Sequence, residues 1–520
     1  MKIVTAAEMK QIDQACGDRG LPAGTLMENA GRAVAEAVRA YLGDIEDASV
    51  LCLIGGGNNG GDGLVAARHL HEWGAEVNVA LCWHRAAADA NLKLVRERGI
   101  SVIDAAADGS LEHVLPLLSR ATCVLDGLLG TGNARPLDYL YKQVLEAVIA
   151  ERDGRDLTVI AIDMPSGMDA DTGACDAACP HADLTVTLAF PKPGLFGMPG
   201  AAHAGQLMIA DIGIPEDLAE TTTLELMTDD WAAETLPARP MDANKGTFGK
   251  LLVAAGSVNY TGAALLACGG ALRSGAGLVT LATAAGLHPV IAGALPEVTH
   301  LPLKESEPGH IGEDAALAVG KTLGDYTALL AGCGLGRDAG TVQFVRRLAR
   351  RKTRPPLVLD ADGLNALVKL AEWWRKVPDC ILTPHPGEMS RLSGLTVEEI
   401  QADRLSAART HAAKWGKTVV LKGAHTVVAA ADGRAMISPF ATAALATAGT
   451  GDVLAGVIGG LLAQGLPAFE AACLGVYLHG ATAARLASVS GDTGMLASDL
   501  LPELPITIND LKTAGEEGEE

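Results

Sequence analysis

Residues 50–63 read VLCLIGGGNNGGDG, an apolar run that stops in a cluster of glycines and opens into LVAARHLHEWG, a helix-like segment. A strand handed to a helix through a glycine-rich turn is the building unit of a parallel sheet, whose strands need crossover helices. Outward from it, apolar runs recur at 77–82, 123–125, 159–162 and 184–189, with helical patterns at 64–73 and 137–150 between them. Upstream, Leu26, Ala30, Val34 and Val38 fall every four residues on one helical face. This half is therefore expected to be an α/β layer structure with helices on both faces.

The alternation stops near 227–246, where TDDWAAETLPARPMDANKG carries two prolines and no sustained period. It resumes with strand-like runs at 250–255, 278–282, 328–331, 357–359, 380–383 and 418–421, and closes in a helical stretch over 453–487. The expected layout is a domain over 1–226, a linker over 227–246, a second domain over 247–505 and an acidic tail over 506–520. The tail, ending in TAGEEGEE, reads as a solvated end.

Charge narrows the partners. With 41 basic and 62 acidic residues the net charge is −21. A nucleic-acid or anionic-membrane surface would need a basic field, so neither is expected. A small anion is not excluded, because backbone N–H groups at a helix N-terminus bind phosphate without net positive charge. The N-terminus has no apolar signal core and no run is long enough to span a bilayer, so a cytoplasmic enzyme is expected. Ten cysteines are scattered, and Cys52, Cys82, Cys123 and Cys380 lie in strand-like runs that suit buried thiols. Cys175 and Cys179 are four apart in a loop-like stretch, but no second pair or His cluster completes a zinc pattern, so no structural metal site is expected from them.

In open α/β sheets ligands bind beyond the carboxyl ends of strands, and three rich loops of the first half sit there. In 55–63, glycines permit close backbone approach while Asn58, Asn59 and Asp62 supply polar atoms. The spacing is not that of the dinucleotide fingerprint, and a mere capped turn needs no such set. The others are DGLLGTG from Asp126 to Gly132, running on to Asn133, Ala134, Arg135 and Pro136, and DMPSG from Asp163 to Gly167. A lone strand-end Asp is more often a helix cap; two beside glycine turns point to a shared crevice. Asn59, Asp126 and Ser166 offer hard oxygen donors able to hold a cation.

In the second half the sharpest motif is TAGTGD, residues 447–452, ahead of VLAGVIGGLL. Its glycines and the orphan N–H groups of the following helix suit an anion. Asp452 could take a proton from a hydroxyl attacking phosphorus. By itself the motif fits a capped helix almost as well. Lys422-Gly423-Ala424-His425-Thr426 tilts the balance by placing a point charge at a strand end. So does Thr383-Pro384-His385-Pro386-Gly387-Glu388, where two prolines constrain His385. GCGLGR (332–337) and DADG (360–363) complete the strand-end loops.

GGGNNGGDG, DGLLGTG with the following RP, IDMPSG and the early LMENAG together resemble the NAD(P)H-hydrate epimerase family over about residues 1–225. The resemblance implies a Rossmann-like fold. It implies hydrate contacts from Asn58, Asn59, Gly60, Gly61, Asp62, Gly130, Thr131, Gly132, Asn133, Ala134, Arg135, Pro136 and Asp163, and K+ on Asn59, Asp126 and Ser166. Inversion of the hydroxyl-bearing ring carbon needs a proton carrier, and Asp163 is the preferred one. TAGTGDVLAG, LTPHPGE, LKGAHT, AGCGLGR and LDADGLNAL resemble the ADP- or ATP-dependent NAD(P)H-hydrate dehydratase family, of ribokinase-like fold, over about residues 240–500. That implies hydrate contacts from Ala263, Gly336, His385 and Asp452, and nucleotide contacts from Lys422, Gly423, Ala424, His425, Thr426 and Gly451. The implied reaction is phosphorylation of the ring hydroxyl and loss of phosphate, with ADP as donor in the fused arrangement, ATP as the alternative, and Mg2+ bridging phosphates. Together the resemblances describe one polypeptide repairing hydrated NADH and NADPH, expected as a homo-oligomer.

Two other readings compete with this one. A small-molecule kinase with an N-terminal ligand-binding module suits the glycine loop and Asp452 equally, but not the histidine and lysine loops or the Asn-Asn-Gly-Gly-Asp half. A non-catalytic binding protein has no need of every acid, base and phosphate loop.

Overall fold

The structure, a computed structural model, describes residues 1–86, 88–132, 137 and 139–517. The chain divides into two compact units, Met1–Thr222 and Thr223–Glu520.

In the first unit seven strands form one parallel sheet: β1 (Ser49–Ile54), β2 (Glu76–Leu81), β3 (Ser101–Asp104), β4 (Cys123–Gly127), β5 (Thr158–Ile162), β6 (Leu184–Leu188) and β7 (Gln206–Ala210). Their order is β3-β2-β1-β4-β5-β6-β7, a Rossmann-like arrangement whose direction reverses between β1 and β4. The side chains of β1 show why the sheet needs cover on both sides. Val50, Cys52 and Ile54 join one apolar cluster, Leu51 and Leu53 the other. The helix Ala23–Leu42 buries Ala30, Val34 and Val38, as the four-residue spacing requires. β3 and β7 escape the apolar-run criterion because they are edge strands with exposed and half-buried residues.

The second unit has β8 (Leu224–Leu226), β9 (Lys250–Ala254), β10 (Leu278–Ala284), β11 (Thr299–Leu303), β12 (Glu305–Glu307), β13 (His310–Ile311), β14 (Ala328–Ala331), β15 (Leu357–Leu359), β16 (Ile381–Leu382), β17 (Thr418–Leu421), β18 (Val427–Ala429) and β19 (Ala435–Ile437). Ten form a sheet ordered β11-β10-β9-β14-β15-β16-β17-β18-β19-β8; β12 and β13 make a separate hairpin. β11 through β17 run parallel, and β17–β18 and β18–β19 are antiparallel. This is the ribokinase-like unit. Its order reverses between β9 and β14, so the crevice there opens onto residues 255–257 and 332–336.

Gly332 shows how tightly that crevice is built. Its φ is +139°, and a Cβ would lie 1.8 Å from the Asp360 carbonyl oxygen. Gly332→Ala is expected to cost at least the roughly 1–3 kcal/mol typical of overpacking, visible as a lowered denaturant midpoint.

Helices occupy parts of the expected linker and of the expected tail. The stretch 227–246 carries a helix, Asp229–Thr235, capped by the Thr228 hydroxyl on the Trp231 N–H at 3.3 Å. The region 506–520 is not a free tail through 517, because the helix Leu500–Glu517 continues into it. Leu504, Thr507 and Leu511 are buried at helical spacing, and Arg485 pairs with Asp510 at 2.8 Å. The run of glutamates hid that apolar stripe. Among the described residues no helix is long and apolar enough to cross a membrane.

Candidate active sites

In the first unit β5 delivers Asp163 directly beyond its carboxyl end, at φ +65°. A β-carbon residue held in the left-handed region is strained, and such strain persists where surroundings over-determine it. Here they do. The Asp163 N–H donates to the Val186 carbonyl at 2.8 Å, tying it to β6. Its Oδ1 accepts from the Leu188 N–H at 3.2 Å, the Thr187 hydroxyl at 3.4 Å and the Lys192 ammonium. Lys192 is 1% exposed and paired with Asp163, a buried ion pair completed by hydrogen bonds to Leu188 O and Thr187 Oγ1.

Asp163 and Lys192 line a cavity of about 850 Å³ together with Asn58, Asn59, Asp62, Gly130, Thr131 and Gly132. Asp13, from the helix Ala6–Asp18, also reaches it. Burial, then the Asp163 charge, pushes the Asp62 carboxyl well above its ordinary range. Burial raises Asp13 too, opposed by Lys192. The cavity therefore holds two acids that resist ionisation beside one engaged in an ion pair, the separation that acid–base chemistry uses.

Beneath the cavity, Asn59, Asp126 and Ser166 are knitted together through Leu129. The Ser166 hydroxyl donates to Asp126 Oδ1 at 2.7 Å and accepts from the Leu129 N–H at 2.9 Å. The Ser166 N–H donates to Asp126 Oδ2 at 2.8 Å. Asn59 Nδ2 donates to the Leu129 carbonyl at 3.0 Å. Asp126 is 1% exposed, and burial raises it against those hydrogen bonds. No Lys or Arg bonds to it among the described residues, and the oxygen donors of this set are of the kind that suits a hard cation.

The helix Asn58–Glu72 starts within the glycine loop, with Gly60 and Gly61 in its first turn, where neither position has room for a side chain. A Cβ on Gly60 would lie 2.2 Å from the Gly55 carbonyl oxygen, and one on Gly61 2.6 Å from Met27. Asn133, Ala134, Arg135 and Pro136 lie outside the described residues.

In the second unit the chemistry gathers around Asp360, just past β15. Asp360, 2% exposed, accepts from Lys422 Nζ at 2.7 Å and from the Thr383 hydroxyl at 2.6 Å. Cys333 Sγ lies 3.8 Å from its Oδ2. Glu388 approaches Lys422 at 3.9 Å. Burial opposes the Lys422 charge, but Asp360 and Glu388 outweigh it and raise the ammonium above its ordinary range. A Cβ on Gly451 would sit 3.5 Å from Lys422 Nζ, so the cation lies at the opening turn of the helix Thr450–Ala463, where N–H groups favour an anion. Asp452 on that turn shares one small cluster with Cys333 and Asp360. Burial, then Asp360, pushes it up to about 7.

His385 is exposed and caps the helix Pro386–Ser393, its Nδ1 accepting from the Gly387 N–H at 3.1 Å. Burial of the ring's inner side and then Lys422 keep its pKa low. Lys422–Thr426 closes as a turn, with the Gly423 N–H bonded to Thr426 Oγ1 at 3.2 Å and His425 at φ +48°. Gly423 and Ala424 are exposed on it. Ala263 borders Gly334, and Gly336 borders Ser257. A Cβ on Gly334 would meet Ala263 at 2.7 Å, while Ser257 Oγ bonds the Gly334 carbonyl at 2.8 Å and lies 3.5 Å from a Cβ on Gly336.

Sequence reasoning gave no role to Lys192, Thr187, Asp13, Asp360, Cys333 or Glu388. Asp360 and Glu388 stood in quoted strand-end loops, so position was their available signal. A second cavity, of about 750 Å³, lies among Gly249, Thr327, Pro356 and Cys380. These residues precede β9, β14, β15 and β16, at the opposite end of the sheet from the acid–base cluster.

Residues 251–506 match the family described as NAD(P)H-hydrate dehydratase, and residues 23–194 match that described as YjeF-related protein N-terminus. The bifunctional NAD(P)H-hydrate repair enzyme Nnr of Moorella thermoacetica is 41% identical, over 98% of this chain and 97% of its own. The enzyme of the same name from Escherichia coli is 33% identical over 94% and 90%. A solved ADP/ATP-dependent NAD(P)H-hydrate dehydratase from Bacillus subtilis, co-crystallised with ATP and Mg2+, is 35% identical; the match covers 55% of this chain and 98% of that one with a TM-score of 0.48.

Proposed function

This chain belongs to the family of bifunctional NAD(P)H-hydrate repair enzymes, and we propose from that premise how its residues divide the work between epimerisation and dehydration. It is an epimerase and a dehydratase in one polypeptide. The observation that carries the assignment is the pairing of acids in each unit: Asp163 with Lys192 beside Asp62 and Asp13, and Asp452 beside Asp360 and Lys422.

In the epimerase unit the hydroxyl leaves the ring carbon next to nitrogen and returns to the opposite face. Asp62 or Asp13 hands a proton to the departing oxygen, and Asp163, oriented by Lys192, takes one from the water that re-adds. Asn58 and Gly130–Thr131–Gly132 bound the hydrate, and 133–136 remain proposed contacts. Asn59, Asp126 and Ser166 would hold K+, which when bound neutralises the Asp126 charge under the cavity.

In the dehydratase unit Asp452 takes the proton of the hydrate hydroxyl as its oxygen bonds to the terminal phosphorus of ADP and the bond to AMP breaks. Loss of phosphate from that carbon, and of a proton from the adjoining ring carbon to solvent, then restores the ring double bond of NAD(P)H. Lys422 and the N–H groups at Gly451 steady the phosphates, and the 423–426 turn borders the nucleotide. Ala263, Gly336 and His385 bound the hydrate. Mg2+ would be held with the nucleotide phosphates beside Lys422 and would offset their charge. ADP is the proposed donor, with ATP as the alternative. The same reading places the enzyme in the cytoplasm as a homo-oligomer.

The test is a purified mixture of R and S hydrates with K+, Mg2+ and either ADP or ATP, followed by the near-ultraviolet absorbance of NAD(P)H. Full recovery with ADP, and AMP plus phosphate as co-products, is the expected result. Recovery that stops at the S fraction sinks the epimerase chemistry of the first unit. A phosphorylated product that persists favours the kinase alternative.

A further inference from the structure

A cluster outside both sites is built from Cys175, Cys179 and His203. The sulfurs and one imidazole nitrogen all lie within 4.8 Å of one another. Their positions are fixed from several directions. Cys175 bridges to Met168 in antiparallel pairing, and the Asp176 N–H donates to the Gly167 carbonyl at 2.8 Å. The Cys179 N–H donates to the Asp176 carbonyl at 2.9 Å. His203 comes from the short helix Gly200–Ala204, whose His203 carbonyl accepts from the Ala182 N–H at 2.8 Å. Its ring stacks on His181 with centroids 3.9 Å apart and planes 10° apart, and its Nδ1 lies 3.2 Å from the Pro180 carbonyl oxygen.

We propose that Cys175, Cys179 and His203 form a binding site for a thiophilic cation, Zn2+ by its donor set, distinct from the oxygen-lined K+ position. Two thiolates and an imidazole select zinc over K+ or Mg2+. Zinc–ligand bonds of roughly 2.0–2.3 Å in a tetrahedron put donor atoms about 3.5–3.8 Å apart, so the cluster needs to close by at most about an ångström. A disulfide would account for the two sulfurs but not for an imidazole nitrogen within 4.8 Å of both. Cys179 is 2% exposed while Cys175 and His203 are half-buried, which leaves an outer side for entry and for water as a fourth ligand. A Cβ on Gly167 would lie 3.4 Å from Cys179 Cβ, so the site backs onto the turn that carries Ser166. The sequence concealed it because the third donor arrives from a later helix, not from a second cysteine pair.

The reduced, chelator-treated full chain is titrated with Co2+ as a spectroscopic stand-in and then with Zn2+. One equivalent should give thiolate-to-cobalt charge transfer with tetrahedral ligand-field bands, erased by Zn2+. Cys175→Ser and His203→Gln should each weaken binding by at least about 10–100-fold, while Cys380→Ala leaves it unchanged. Independently of any variant, Zn2+ should protect Cys175 of the unaltered protein from alkylation. No cobalt–thiolate absorption, equal binding by Cys175→Ser and His203→Gln, or alkylation of Cys175 indifferent to Zn2+ would overturn the site.

Discussion

Asp452→Asn should lose dehydration by about 10²–10⁴-fold, the usual contribution of a positioned general base, while epimerisation continues at the parent rate. Asn keeps the shape and cannot take the hydroxyl proton. The electrostatics give this variant a second signature. Burial and Asp360 push Asp452 up to about 7 from an ordinary value of 3.8, so ionising it in the folded state is unfavourable. The folded protein therefore loses stability as pH rises from about 4 to 7, by up to roughly 4 kcal/mol. A neutral Asn escapes that loss, so the variant should be more stable than its parent at pH 8, though inactive. In the parent, dehydration should decline about tenfold per pH unit below 7, as the base becomes protonated. Rates across pH for both activities, with denaturant midpoints for both proteins, check these outcomes. A variant that still dehydrates, or one that loses both activities together, removes Asp452 from the role of base.

What the sequence displayed was local. Asp126, Asp163 and Asp452 each stand where an apolar run meets glycines, and a strand end or helix start can be recognised from a few neighbouring residues. Lys192 is different. It sits in AFPKPG, with no periodicity around it, and becomes the partner of Asp163 only because β6 lies beside β5 in the sheet. Asp13 likewise reaches its cavity from a helix whose register against the sheet is a tertiary matter. The same holds for Asp360 and Lys422, joined across the ends of β15 and β17 with β16 between. Glycine has a second demand that the sequence does not display: backbone and Met27 packing leave no room for a side chain at Gly60 or Gly61. Four of the five non-glycine residues at positive φ among the described residues are Asp163, Ala189, Ala361 and His425. All four lie in or next to the two sites, and no local propensity announces such strain.

Asp163→Asn should reduce epimerisation by about 10²–10⁴-fold, so that with ADP only the S hydrate is recovered. This substitution carries a cost that Asp452→Asn does not. Lys192 is 1% exposed, and removing its carboxylate leaves a buried ammonium without a counter-ion. Breaking one side of a buried pair typically destabilises by about 3–5 kcal/mol, enough to make loss of activity ambiguous. Replacing both partners resolves it. Asp163→Asn with Lys192→Met restores charge neutrality and fills the lysine's volume with an unbranched apolar chain, so much of the lost stability should return. Epimerisation should not return, because the proton carrier is still missing. Denaturant midpoints of the two single variants and the double variant measure the coupling of the pair, and conversion of pure R hydrate measures the chemistry separately. If the double variant regains epimerisation along with stability, Asp163 and Lys192 only hold the fold, and the proton carriers are Asp62 and Asp13.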